Sequence, residues 1–286
     1  MTTLRAKFKL YWPLIKSFQT ALLIVTGVAG FMSTRCPLEN WQMVLAVTGS
    51  LFLAVSGSTV LNMWYDRDID AKMERTRKRP LPSGKIPPRE ALILGLVLSL
   101  LGVGWAVAID SLYGLIVFAG LFFDVIIYTV WLKRRTPWAI IWGGISGAMP
   151  VLAGRALGTG HIEWIGITLA LAVLFWIPTH ILTFSMRYRE DYARAGVPTF
   201  PSVYGDRVTQ IIIAISSVLA AVFMGVAAYG IGLTVGYLRL MAVLSAGLLL
   251  LAIASATKPS ERTNFGLFKY ASVYMLSAMI MLMFVV

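Results

Sequence analysis

Cysteine is nearly absent from this chain. The one residue, Cys36, excludes an intramolecular disulfide and supplies no thiolate cluster for a metal. Charge is scarce as well, at 13% of 286 residues against 58% hydrophobic, and acids are rarer than bases, 13 against 25. So small a share of charge excludes an ordinary soluble domain. The net charge of +12 reads as a topological signal and an attraction to anionic lipid rather than as a nucleic-acid surface. No cleavable leader is expected either. Arg5, Lys7 and Lys9 precede an apolar run that continues to about Met32 with no small-x-small site before Arg35, so the first hydrophobic segment reads as a retained helix.

What is present is a series of apolar stretches of roughly 20 residues, each long enough to cross a hydrocarbon core of about 30 Å as helix. They fall near 12–32, 41–61, 90–108, 112–132, 138–154, 163–186, 208–229, 234–257 and 268–286. The expectation is an all-α integral membrane protein of nine transmembrane helices in one domain, 1–286. The fifth stretch is short, and Gly143, Gly144, Gly147 and Pro150 suggest close helix packing there. With the N-terminus in the cytoplasm, 22 of the 25 bases fall in or beside cytoplasmic segments, leaving Arg35, Arg155 and Arg239 on the other side.

Two loops on the basic side also carry acids, one after the second span and one after the sixth. Each runs on into a proline-glycine stretch, "RPLPSG" and "VPTFPSVYG". Their equivalent places in the chain suggest two parallel four-helix halves plus a final helix. In the first loop, "NMWYDRDIDAKMERTRKRP", four acids and six bases crowd into the fourteen residues from Asp66 to Arg79. Asn62, Asp66 and Asp70 are spaced i, i+4, i+8 and form one stripe on a helix. Asp68 falls roughly opposite. Two carboxylates and an amide are hard oxygen ligands suited to Mg²⁺, which binds through one or two carboxylates plus substrate phosphates. Arg75, Arg77, Lys78 and Arg79 follow as phosphate-binding bases. The second loop, "MRYREDYARAG", offers Glu190 and Asp191 among Arg187, Arg189 and Arg194 as a second metal-binding half. Together they describe a clamp for a diphosphate. A transporter would place its ionisable residues near the bilayer midplane, whereas these gather at one face.

The stretch from Asn62 to Gly84 resembles the first signature of the UbiA superfamily of intramembrane prenyltransferases, in the form seen in its haem O synthase branch. "YTVWLKRRTPW" from Tyr128, "GGISGAMPVLAG" from Gly143 and "DYARAGVPTFPSVYG" from Asp191 are similar to three further blocks in the same order. The resemblance implies a helical bundle around a cavity open to lipid, capped by polar loops on the cytoplasmic side. It implies that Asn62, Asp66 and Asp70 bind Mg²⁺ and diphosphate, that Asp191 supplies the second acidic site, and that Arg79 and Lys133 contact phosphate; Arg134, next to Lys133, is a further substrate-binding candidate. It also singles out Tyr128 among the aromatics Trp64, Tyr65, Phe122, Phe123 and Tyr128 that are candidates to face a carbocation-like prenyl group.

Asp124 lies inside the fourth span, and an intramembrane acid is a functional-site candidate. It is a candidate to hold substrate or take a proton. His180 in "WIPTHIL" is the only intramembrane histidine. In haem O synthases a Pro-Pro-His followed by aromatics stands here, so His180 is a candidate ligand for haem iron. This chain has Thr179 for the second proline, Ile181 and Leu182 for the aromatics, and Arg155 where an aromatic is usual. The implied donor is a prenyl diphosphate, with farnesyl diphosphate favoured, and the acceptor is haem B or else a phenolic, quinone-precursor or lipid molecule.

Overall fold

The computed structural model describes residues 4–34 and 41–284, so Arg35 and Cys36 lie outside the described residues. The described chain is helical throughout: α1 (Leu4–Tyr11), α2 (Ser17–Met32), α3 (Trp41–Tyr65), α4 (Arg67–Lys72), α5 (Pro88–Ile109), α6 (Ser111–Phe122), α7 (Ala139–Thr159), α8 (Trp164–Arg187), α9 (Arg189–Ala195), α10 (Phe200–Val203), α11 (Gly205–Ile231), α12 (Val235–Thr257) and α13 (Glu261–Met283). Eight helices are long and apolar enough to cross a membrane, counting α6 with its continuation to Leu132 as one. Among the described residues the bent pair Arg5–Ile15 and Ser17–Met32 passes the same test together, and counted as one span it makes a ninth.

The helices form a closed ring. Sequential neighbours pack along α2, α3, α5 and α6, α7 bridges α6 to α8, and α11 to α13 complete the circuit, with α13 returning to both α2 and α8. Lipid carries no hydrophobic driving force between helices, so close backbone approach at small residues supplies much of the contact. A Cβ built on Gly154 would stand 1.9 Å from the Gly27 carbonyl oxygen, and one on Gly30 would stand 2.2 Å from that of Val151, which shows how tightly α2 meets α7. Large apolar residues such as Leu100, Val222 and Leu250 are turned outward instead, as a lipid-facing belt requires.

The same motif occurs twice. α3 breaks at Asp66 and continues as the short α4, and α8 breaks at Tyr188 and continues as the short α9. The two short helices pack on each other around Ile69, Met73, Ala195 and Val197, with Tyr192 against them. This places the two acidic loops in one cap over the same end of the ring.

Four expected boundaries are revised. The first span is not one rod, because Lys16 adopts a left-handed conformation (φ 45°) between the 3₁₀ turn Trp12–Ile15 and α2, and the chain bends there by 60°. The second span runs to Tyr65, since the apolar run ends at Leu61 but the backbone ladder does not: Asp66 N–H donates to the Asn62 carbonyl and Asp70 N–H to that of Asp66. The fifth continues past Arg155 to Thr159, because the buried guanidinium is satisfied by Glu163 Oε1 (2.6 Å) and by the carbonyl and hydroxyl oxygens of Ser33 (2.6 and 2.9 Å). The ninth begins at Glu261, where the Ser260 hydroxyl accepts from the Thr263 amide and caps the helix. The fourth span keeps its limits but widens into a π-helix over Phe123–Leu132.

Gly154→Ala is expected to lower stability in detergent by about 1–3 kcal/mol through overpacking of α2 against α7. Gly104→Ala, where an added Cβ meets nothing within 4 Å, is expected to leave it unchanged or slightly higher. Thermal unfolding of the two variants side by side checks this.

Candidate active site

Beneath the cap lies a cavity of about 430 Å³. Its polar end holds Asn62, Asp66, Asp70, Asp124, Lys133 and Arg79, and its apolar walls run between α2, α7 and α8. The Asn62–Asp66–Asp70 stripe survives the break in α3, because the backbone bonds at Asp66 and Asp70 keep the i to i−4 spacing across it. All three side chains face inward and are buried, at 8%, 1% and 7% exposure. Asp68 is turned away. Its carboxylate receives both terminal nitrogens of Arg134, at 2.7 and 2.8 Å, and that pair of bonds holds it below the usual aspartate range.

Each inward carboxylate has one oxygen engaged and one left over. Asp66 Oδ2 takes a hydrogen bond from the Lys133 ammonium, while its Oδ1 is buried and makes no hydrogen bond, with Arg134 3.7 Å away. Asp70 Oδ2 accepts from Arg79 at 3.1 Å, and its Oδ1 makes no hydrogen bond among the described residues. Asn62 donates its amide nitrogen to Thr129 Oγ1 (2.7 Å), which donates to the Asp124 carbonyl five residues back (2.7 Å). The wide turns of the π-helix make that five-residue reach possible, and it leaves the amide oxygen of Asn62 as the end available to a cation. A buried, unsatisfied carboxylate oxygen is costly unless something occupies it. The three leftover oxygens are the hard donor set that Mg²⁺ takes alongside phosphate and water, so the residues present fit that ion.

Asp191 is placed differently from a simple ligand. It is 8% exposed, and its two oxygens accept the backbone N–H groups of Glu74 (3.0 Å) and Arg75 (3.3 Å). The second acidic loop thus fixes the path of the first. Arg75 is held over the rings of Phe184 (5.0 Å) and Tyr188 (5.3 Å) and lines the cavity without an acid partner among the described residues. Tyr128 also lines it, beneath Lys133 Nζ at 5.6 Å, and its ring lies where a side chain at Gly143 would be. Asp124 accepts a 2.5 Å hydrogen bond from Ser58 at the cavity wall.

Several expected members lie outside. Glu190 is exposed and meets Arg194. Arg77 is exposed and meets Glu74, and Lys78 is exposed. Arg134 is spent on Asp68, and Arg187 lies 4.0 Å over Phe265 with Glu261 at 3.6 Å. Among the described residues no three carboxylates or histidines converge as a ready-made metal cluster. Of the five aromatics only Tyr128 reaches the cavity: Phe122 is exposed, Phe123 stacks on Trp142, Trp64 carries Arg67, and Tyr65 carries Arg134.

His180 also lines the cavity, stacked between Trp176 (5.0 Å) and Phe268 (4.4 Å). Its Nδ1 meets Ser272 Oγ at 3.2 Å, so Nε2 is the nitrogen left for a ligand. The neighbouring departures have local reasons. Thr179 bonds Ser217 on α11 and Leu182 is core, while Trp176 and Phe268 bring aromatic faces to the histidine from one turn below it and from α13. Arg155 lies outside the cavity lining. Sequence reasoning missed Lys16, Ser58, Tyr192 and Phe268. For Lys16 a signal existed, a base set inside the first apolar run; Ser58, Tyr192 and Phe268 are ordinary helix residues until the ring closes.

Comparison with known proteins agrees with this geometry. Residues 22–276 match the family described as the UbiA prenyltransferase family. The chain is 43% identical over 199 residues to the protoheme IX farnesyltransferase of Archaeoglobus fulgidus, covering 70% of each chain. It is 40% identical over 270 residues to that of Aeropyrum pernix, covering 93% of this chain and 88% of the relative. Its fold is similar to that of a digeranylgeranylglyceryl phosphate synthase (TM-score 0.79, 21% identity, 97% of both chains). It is also similar to a UbiA homologue from Archaeoglobus fulgidus bound to GPP and Mg²⁺ (TM-score 0.69, 16% identity, 97% of this chain and 99% of that one). A ring of membrane-length helices capped by two acidic loops, and a family match over residues 22–276, make this chain a member of the UbiA prenyltransferase family.

Proposed function

We propose that the protein transfers a farnesyl group from farnesyl diphosphate to a vinyl group of haem B, with its active site at the cytoplasmic face of the membrane. The observation that carries the reading is one cavity that joins an oxygen of Asp66, an oxygen of Asp70, the Arg75 guanidinium and His180 Nε2, none of them with a hydrogen-bonded partner among the described residues. Arg75, Arg79 and Lys133 take the diphosphate, and Asp191 keeps the Arg75 loop in place. Asn62, Asp66 and Asp70 would hold Mg²⁺, which neutralises charge growing on the leaving diphosphate.

The allylic C–O bond loosens as these groups take up the negative charge. Tyr128 offers a ring face to the cationic carbon. The terminal vinyl carbon of the haem supplies its electron pair to that carbon, leaving a cation beside the macrocycle. Water adds there and loses a proton, giving a hydroxyalkyl product. His180 holds the acceptor through the iron, its ring fixed by Ser272 and by the two aromatic faces. The relatives named as protoheme IX farnesyltransferases support this acceptor. The concentration of bases on the cap side supports the orientation.

Asp66→Asn and Asp70→Asn are each expected to cut prenyl transfer by at least about 10²-fold, the scale of losing one electrostatic contact to a developing charge, with folding retained. Asp68→Asn is expected to retain most activity. Turnover at fixed Mg²⁺, with circular dichroism for folding, distinguishes them, and an equal loss in all three would contradict the inward stripe. His180→Ala is expected to change the Soret band of bound haem and to reduce haem prenylation, while binding of farnesyl diphosphate is unaffected. An unchanged spectrum and rate would remove the ligand role, and a wild type that prenylates a phenol but not haem would favour the phenolic acceptor.

A further inference from the structure

Of the carboxylates that line the cavity, Asp66, Asp70 and Asp124, only Asp124 has no part in the diphosphate clamp. It sits at the start of the π-helix Phe123–Leu132, and two hydrogen bonds fix it. Its backbone carbonyl accepts from Thr129 Oγ1 (2.7 Å) and its Oδ2 from Ser58 Oγ (2.5 Å). Its Oδ1 makes no hydrogen bond or ion pair among the described residues, and the residue is half-buried, open to the cavity. The charges near it are Lys16 and Lys133, of opposite sign, and Asp66, of like sign. A structural tie between α3 and the π-helix needs only one polar atom on each side, and an amide would serve. An acid inside a membrane span with one oxygen unused costs more than that tie requires and calls for a function.

Depth in the cavity decides which function. Ser58 precedes Asn62 by four residues on α3, so the Ser58–Asp124 pair lies one turn, about 6 Å, farther from the cap than the nearest donor of the Mg²⁺ set. One turn deeper again the same walls are apolar, at Leu51 and Ala54 on α3 and at Val117 and Gly120 on α6. Asp124 therefore marks the boundary between the phosphate end of the cavity and its apolar chamber. Tyr128, whose ring is assigned to the cationic carbon, belongs to the same π-helix and lines the same cavity on the cap side of Asp124. The new C–C bond forms at this boundary in the reaction proposed above.

We propose that Asp124 is the general base of the hydration step. The inference rests on the haem prenylation reading and adds a catalytic residue to it. When the allylic C–O bond of the donor breaks, its electron pair leaves on the diphosphate. The vinyl electron pair forms the new C–C bond and leaves a cation on the inner vinyl carbon. A water oxygen bonds to that carbon, and its proton passes to Asp124 Oδ1. Asp124 then gives the proton to the departing diphosphate on the cap side. Ser58 holds Oδ2, so that Oδ1 is the oxygen presented to the water. His180 is engaged through both nitrogens, since Nδ1 meets Ser272 and Nε2 is assigned to the iron.

The test is product analysis by mass spectrometry on the full chain in detergent with haem B, farnesyl diphosphate and Mg²⁺. Wild type, Asp124→Asn, Asp124→Glu and Ser58→Ala are compared for total prenylated haem and for the fraction that carries water. Without a base for the water, the cation loses a proton from the adjoining carbon and gives an alkene, lighter than the hydrated product by one water. Asp124→Asn is expected to form the hydrated product at least about 10²-fold more slowly, the lower end of what a general base contributes, and to turn the balance to the alkene. Asp124→Glu is expected to restore hydration in part, and Ser58→Ala to shift the ratio in the same direction as Asp124→Asn but by less. The Soret band of bound haem and the binding of farnesyl thiodiphosphate, which resists ionisation, are expected to match wild type in every variant. Hydrated product at the wild-type rate in Asp124→Asn would overturn the proposal and make the diphosphate the direct proton acceptor. An equal loss of both products, with their ratio unchanged, would overturn it as well, since a structural role predicts that result. Should Asp124→Asn not fold, an unchanged ratio in Ser58→Ala overturns it. A wild type that forms no haem product overturns the acceptor reading and the base with it, whereas hydrated product from wild type and Asp124→Asn alike removes Asp124 alone.

Discussion

The structure is organised by the cost of keeping carboxylates at the mouth of a lipid-embedded ring. Asp66 and Asp70 are almost fully buried, and an isolated buried carboxylate is too costly to persist. Lys133 and Arg79 each neutralise one oxygen. These partners come from the end of the fourth span and from the loop after α4. Forming the two pairs therefore requires that the cap be folded over the ring. One oxygen of each carboxylate is left without a hydrogen bond among the described residues.

The two acidic loops contribute unequally. The first brings its oxygens into the cavity, whereas the second acts mainly through Asp191, whose carboxylate is occupied by two backbone N–H groups of the first loop. A repeated long-helix, break, short-helix unit lets each half brace the other. The π-helix of the fourth span adds a third constraint. Its wider turns allow Thr129 to reach back to Asp124 and so orient Asn62. One cap loop, one bracing loop and one widened helix together aim the donors at a single space.

Much of this was legible in the sequence. The apolar runs locate the nine spans because a bilayer fixes the length of a helix, and the i, i+4, i+8 spacing of Asn62, Asp66 and Asp70 puts them on one face whether or not the helix is interrupted. The opposite placement of Asp68 follows from the same geometry. Charge runs were less informative. Arg77, Lys78, Arg134, Arg187 and Glu190 have the right chemistry, yet each is exposed or engaged elsewhere, since composition does not say which way a loop residue points. Lys16 shows the converse. Its place at the cavity wall depends on a left-handed backbone, which a one-dimensional pattern does not contain. The aromatic setting of His180 was hidden for a related reason. Phe268 comes from α13, distant in sequence and adjacent only after the ring closes.

The most direct test of the account is product analysis by mass spectrometry. Purified protein is incubated with haem B, farnesyl diphosphate and Mg²⁺ in detergent or lipid. The account predicts a haem heavier by one farnesyl group and one water, formed only when Mg²⁺ and all of the inward carboxylates are present. Recovery of unmodified haem alongside a prenylated phenol from the same preparation would contradict the acceptor, and formation of the haem product at full rate without divalent cation would contradict the reading of the Asp66 and Asp70 oxygens on which the rest depends.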